Sequence, residues 1–154
     1  MRARYLFATF KNRLSPQESV NLTLAVRDLV QPAGRRTVGI CPSAAALAWT
    51  GACKGGLALA AQTCGWTASY IYSLTGELCV KDIAAFSIRH CIVGHSERRQ
   101  HLGETEAVIQ LRLSALLSAD IVPILCLGET LAQRQDHSTV DVLGATSFRK
   151  PSHV

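Results

Sequence analysis

A chain of 154 residues that is 48% hydrophobic and 18% charged is long enough for one domain with a sizeable core and too apolar to stay disordered. Its net charge of +5 is spread along the sequence and doubled at Arg35-Arg36 and Arg98-Arg99, without the basic stripe and interleaved aromatics of a nucleic-acid surface. No apolar run reaches the ~18 residues of a membrane span. The run after Arg2 and Arg4 is too short for a signal peptide, and six cysteines without a C-x-x-C pair, four of them in apolar runs, read as buried, reduced thiols of a cytoplasmic protein.

Residues 5–10 form a short apolar run that predicts a first strand, ending at Lys11-Asn12-Arg13. Ser15-Pro16-Gln17-Glu18 is then a helix start: Ser15 can cap, Pro16 suits the first helical position and Glu18 completes a capping box. Val20, Leu24, Ala25 and Leu29 predict the apolar face of that helix, which runs to about Val30. Residues 37–41 predict a second strand stopped by Pro42, and residues 44–54 a helix after Ser43. A third strand is expected over residues 57–62, a long loop over 63–75 and a helix over 77–86.

The stretch from Arg89 to Gln100 is the most informative: an apolar strand runs into Gly94, then His95-Ser96-Glu97-Arg98-Arg99, where a short helix starts at Ser96. A longer helix is expected from Thr105 to about Ser118, with Ile109, Leu113, Leu116 and Leu117 on one face. Residues 121–127 predict a fifth strand, ending at Gly128-Glu129-Thr130, with residues 131–135 helical. Strand and helix thus alternate five times, which predicts an α/β domain with a parallel sheet wound by helices, over residues 1–135. Residues 136–154 show no period and read as an irregular tail.

Parallel α/β folds place their chemistry at the carboxyl ends of the strands. Those ends carry Lys11, then Gln62, then His95 and Glu97, then Glu129. A cation, an imidazole and carboxylates on one rim can bind an anion and move protons. A helix starting at Ser96 would bring its positive end to His95 and disfavour imidazolium, leaving a neutral ring able to donate a hydrogen bond. On spacing alone the plainer readings stay open: His95 as a structural or capping histidine, Lys11 as a solvated surface lysine, and Glu97-Arg98-Arg99 as a solvated charge run.

Other constellations fail. There is no G-x-G-x-x-G, no P-loop and no G-x-S-x-G elbow. His90 and His95 fall on opposite sides of a strand, so a metal site is not expected.

Cys91-Ile92-Val93-Gly94-His95-Ser96-Glu97-Arg98-Arg99 resembles the histidine signature of the triose-phosphate isomerase family. The resemblance continues through Leu102-Gly103-Glu104-Thr105 and Pro123-Ile124-Leu125-Cys126-Leu127-Gly128-Glu129-Thr130-Leu131. It is weaker at Phe10-Lys11, Ala61-Gln62 and Thr75-Gly76-Glu77. It implies a (β/α)₈ barrel, here about five β/α units, that interconverts dihydroxyacetone phosphate and glyceraldehyde 3-phosphate through an enediolate without a cofactor or metal. The family's neutral histidine electrophile and glutamate base are well established and are carried over, not read from the spacing. By position, His95 would polarise the substrate carbonyl and Lys11 would balance phosphate and enediolate charge. Glu97 would be the supporting carboxylate, and Ser96 would lie on the same wall. Thr75, Gly76 and Glu77 would lie on an interface loop, implying a homodimer. Arg98, Glu104, Cys126 and Glu129 would be structural.

The departures are specific. Thr9 stands where the family has a substrate-binding asparagine, and Thr63 where it has an acidic or amide residue. A full barrel takes about 250 residues. None of the six glutamates (18, 77, 97, 104, 106 and 129) precedes a proline, as the family's catalytic base does. The sixth-strand lid and glycine-rich phosphate loops also have no counterpart. The resemblance therefore carries an alternative, an inactive half-barrel serving as a binding or scaffold fragment. An unrelated nucleotide-binding domain would need a phosphate loop that is absent.

Overall fold

A computed structural model describes residues 3–30, 34–66 and 74–145, apart from the side chain of residue 145. Five strands, β1 (Arg4–Thr9), β2 (Arg36–Cys41), β3 (Ala58–Ala61), β4 (His90–Val93) and β5 (Val122–Leu125), alternate with helices. These are α1 (Pro16–Leu29), α2 (Leu47–Cys53, entered through a 3₁₀ turn at Ala44–Ala46), α3 (Val80–Ala85), α4 (Ser96–His101), α5 (Glu106–Ser118), α6 (Leu131–Gln135) and α7 (Thr139–Ala145). All four strand pairings are parallel and the spatial order is β1-β2-β3-β4-β5. An order that never reverses sends every crossover the same way round. That is the winding of a barrel segment, not of a doubly wound sheet.

The main core lies between the outer face of the sheet and the helices. Ile40, Leu59, Cys91 and Val93 meet Leu47, Val80, Ile83, Ile109, Leu113 and Leu116 there, all buried. The inner face holds a smaller cluster of Cys41, Ala60 and Ile92 with Phe7, Ile124 and Cys126 against it. Further along that face the rings of Tyr5, Phe7 and His90 group together, Phe7 to His90 at 5.0 Å and Tyr5 to His90 at 5.7 Å. Phe7 pairs with Gly39, where any Cβ would collide with the ring, so the glycine makes room for it. Pro123 is tolerated because β5 is an edge strand whose outer side makes no ladder.

The predicted helix starts are realised by their caps. Ser15 and Glu18 form a capping box, Thr105 caps α5, and Thr130 with Gln133 boxes α6. Four expectations change. The buried side of α1 is Ser19 and Thr23, flanked by Val26, not the stripe through Leu29, which is 84% exposed. The reason is that Thr23 satisfies its hydroxyl on the Ser19 carbonyl at 2.6 Å and can be buried without loss. In α5, Leu117 is exposed and Arg112 takes a place in the buried face. The helix expected from Glu77 begins at Val80, because Glu77 turns toward two arginines instead. The tail contains α7, which sequence periodicity missed because Val140 and Leu143 remain exposed and mark no buried face. Residues 67–73 of the long loop and 146–154 of the tail lie outside the described residues.

Candidate active site

The histidine stretch folds as its composition demands. Gly94 takes φ +70, open to glycine at little cost, and a Cβ there would press on the Arg99 guanidinium and the Ile109 side chain at 3.0 and 3.1 Å. The gap lets Arg99 donate from Nε to the Gly94 carbonyl at 2.8 Å. The chain then turns into α4 with His95 as its N-cap, and the His95 Nδ1 accepts the Glu97 backbone N–H at 3.3 Å. A ring that accepts at Nδ1 carries its proton on Nε2, which is then free to donate. The Glu97 carboxylate lies 3.6 Å from the same Nδ1, beyond hydrogen-bond reach.

That carboxylate is held elsewhere. Lys11 Nζ meets Glu97 Oε1 at 2.6 Å and holds the Glu97 carboxyl below the ordinary carboxylate range. Lys11 itself sits at φ +53, a left-handed conformation that costs a lysine about 1–3 kcal/mol. Three hydrogen bonds hold the turn. The Gln62 amide donates to the Lys11 and Cys41 carbonyls, both at 2.8 Å, and the Lys11 amide donates to Thr9 Oγ1 at 3.4 Å. β3 therefore fixes the backbone of the residue that follows β1. Sequence reasoning placed Gln62 at a strand end but gave it no task; a carboxamide beside a non-glycine turn was the available signal.

Thr9, Lys11, His95 and Glu97 border one open cavity of about 440 Å³, which Arg13 and Gln62 also line. A neighbouring cavity of about 280 Å³ takes Ser96 together with Cys126 and Glu129. Thr75, Gly76 and Glu77 border neither. Thr75 and Gly76 are exposed, while Glu77 lies beneath α4. There a charge cluster joins three segments. Arg112 reaches Glu104 at 2.9 Å, Glu77 at 3.6 Å and the Thr63 hydroxyl, while Arg98 reaches Glu104 at 3.4 Å and Glu77 at 3.9 Å. Arg112 and Glu104 are almost wholly buried, so each requires the other. The cluster seats α4, and with it His95, on α5. Arg112 escaped the sequence reading because a single arginine in a helix looks like a solvated charge. Among the described residues, the only carboxylate bordering the His95–Lys11 cavity is Glu97.

The family model described as triosephosphate isomerase matches residues 4–148. The chain belongs to the triosephosphate isomerase family. It is 35% identical over 146 residues to the triosephosphate isomerase of Moorella thermoacetica, covering 94% of this chain and 57% of the relative. It is 36% identical to that of Prosthecochloris aestuarii, over 93% of this chain and 57% of the relative. A segment of 69 residues is 48% identical to the triosephosphate isomerase of Delftia acidovorans, covering 45% of this chain and 28% of the relative. The chain thus spans little more than half the length of the relatives that match it along most of its extent. The five parallel strands in unbroken order are a curled part of the family's barrel, and the match runs on through α7.

Proposed function

We propose that this chain carries the electrophilic half of a triosephosphate isomerase site. A phosphorylated triose would enter the cavity with its carbonyl toward His95 Nε2 and its negative charge toward Lys11. His95 would donate to the carbonyl oxygen as charge develops on it, and Lys11 would balance the enediolate and phosphate. Glu97 would keep the ammonium in place, making it a positioning residue. The observation that carries this reading is the 2.6 Å Lys11–Glu97 contact on one cavity wall with a histidine whose Nδ1 is already occupied.

The proton next to the carbonyl needs a base. Glu97 is committed to Lys11, so the described residues supply none, and that favours a second reading in which the chain alone only binds. The exposed Thr75 and Gly76 suit the interface loop that the family resemblance implies, and six free thiols suit a reducing compartment such as the cytoplasm.

One experiment separates the readings. The chain is assayed for interconversion of dihydroxyacetone phosphate and glyceraldehyde 3-phosphate, alone and co-expressed with the carboxyl-terminal two-fifths of the Moorella thermoacetica relative. Turnover that appears only in the mixture and is lost in His95→Gln supports the proposal. A stable, correctly paired mixture without turnover overturns it in favour of the binding fragment.

A further inference from the structure

The opposite end of the sheet is built differently. β3 starts late: Ala58 pairs with Gly39, so Arg36, Thr37 and Val38 of β2 run past it. On the other side Arg89 precedes β4. The gap beneath β3 is a cavity of about 330 Å³. Arg36, Lys54 and Arg89 border it, with the hydroxyls of Thr37 and Ser87, and among the described residues no carboxylate does. Among the described residues, neither guanidinium makes a hydrogen bond or an ion pair. Lys54 directs its ammonium only at the carbonyls of Gly55 and Leu57, at 3.5 and 3.1 Å. Arg4 stands beside Arg36 in register, so a fourth cation adjoins the three. Like charges side by side on neighbouring strands repel, and nothing in the described chain offsets them. The half-buried Val38 and Ala58 supply the apolar part of the lining.

The geometry points to a second anion site in this cavity, for a small phosphorylated molecule with a short apolar body. Guanidinium groups pair with phosphate oxygens through two parallel N–H donors, the hydroxyls add donors, and the Val38 and Ala58 side chains take the organic part. The site faces away from the His95 cavity and does not depend on the reaction proposed there.

The test is a titration of the ¹⁵N-labelled full chain at low ionic strength with phenyl phosphate and, separately, inorganic phosphate, followed by amide shifts. Saturable shifts are expected at Thr37, Lys54, Ser87 and Arg89, with phenyl phosphate the tighter ligand. Arg36→Gln combined with Arg89→Gln is expected to weaken binding about tenfold or more, while Lys11→Gln leaves it unchanged. Should the double variant lose its native spectrum, each single substitution is expected to weaken binding a few-fold. Shifts confined to the Lys11–His95 cavity, equal affinity in the arginine variants, or no saturable shift would overturn the inference and leave these residues as solvated cations.

Discussion

On its outer face the sheet presents Ile40, Leu59, Cys91 and Val93 to a layer of helices, and none of the four is more than 3% exposed. On its inner face Tyr5 is 58% exposed, and Phe7, His90 and Ile124 are only half-buried. The difference shows how a wound parallel sheet assembles. Each crossover helix covers the outside of the strands it joins, so that layer is completed locally, unit by unit. The inside is completed only by side chains from strands across the barrel, and the described residues provide those only around Cys41, Ala60 and Ile92. Stability therefore resides outside, and chemistry collects on the rim.

The largest test of this asymmetry is Arg112→Met. It leaves Glu104 buried without its 2.9 Å partner, and a loss of about 3–5 kcal/mol is expected from the denaturant midpoint. Adding Glu104→Gln should recover part of that, a coupling that distant sites would not show. Ile83→Ala, at a fully buried outer position, is expected to cost about 2–5 kcal/mol, whereas Tyr5→Ser on the inner face should change stability by less than about 1 kcal/mol. Equal costs would break the comparison.

Thiol chemistry sharpens it. Burial pushes the Cys41 thiol up to about 12, and the Cys91 thiol, hydrogen-bonded to Cys64 and buried, is pushed well above its ordinary value. Both should resist iodoacetamide at neutral pH while the half-buried Cys53 and Cys79 react. If the inner face opens in solution, Cys41 will be alkylated well before Cys91, which peptide mass mapping would reveal. The smallest effect is in pH. Desolvation lowers the pKa of His90 from its ordinary 6.5, so below that value the unfolded chain takes up a proton that the folded chain refuses. Stability is expected to fall as pH drops from about 6.5 toward the lowered folded value. The melting temperature of His90→Gln should show a shallower decline over pH 7.5 to 5.5; an identical slope would assign the dependence to other groups.

Much of the architecture was legible because it rests on local signals. Ser15 with Glu18, Thr105, and Thr130 with Gln133 announce helices through hydrogen bonds made within four residues, and continuous apolar runs announce strands covered by neighbours. What escaped depends on distant partners. Ser19 and Thr23 are buried because α2 packs near them and Thr23 bonds within its own helix, not because they are apolar. Arg112 is buried because Glu77 and Glu104 arrive from elsewhere in the chain. At the candidate site, Lys11, His95 and Glu97 could be named from sequence. The clamp from Gln62 spans 51 residues to Lys11 and has no local trace.

The cap on α4 has a consequence for how the site can be watched. The imidazole that caps the helix is also the group on which the proposed chemistry turns, since His95 Nδ1 accepts the Glu97 amide. Turning the ring away from that amide would remove the acceptor and loosen the first turn. The Glu97 amide is therefore a built-in reporter: its hydrogen-exchange rate should change whenever a ligand at Nε2 shifts the ring, in a protein carrying no probe beyond its own backbone.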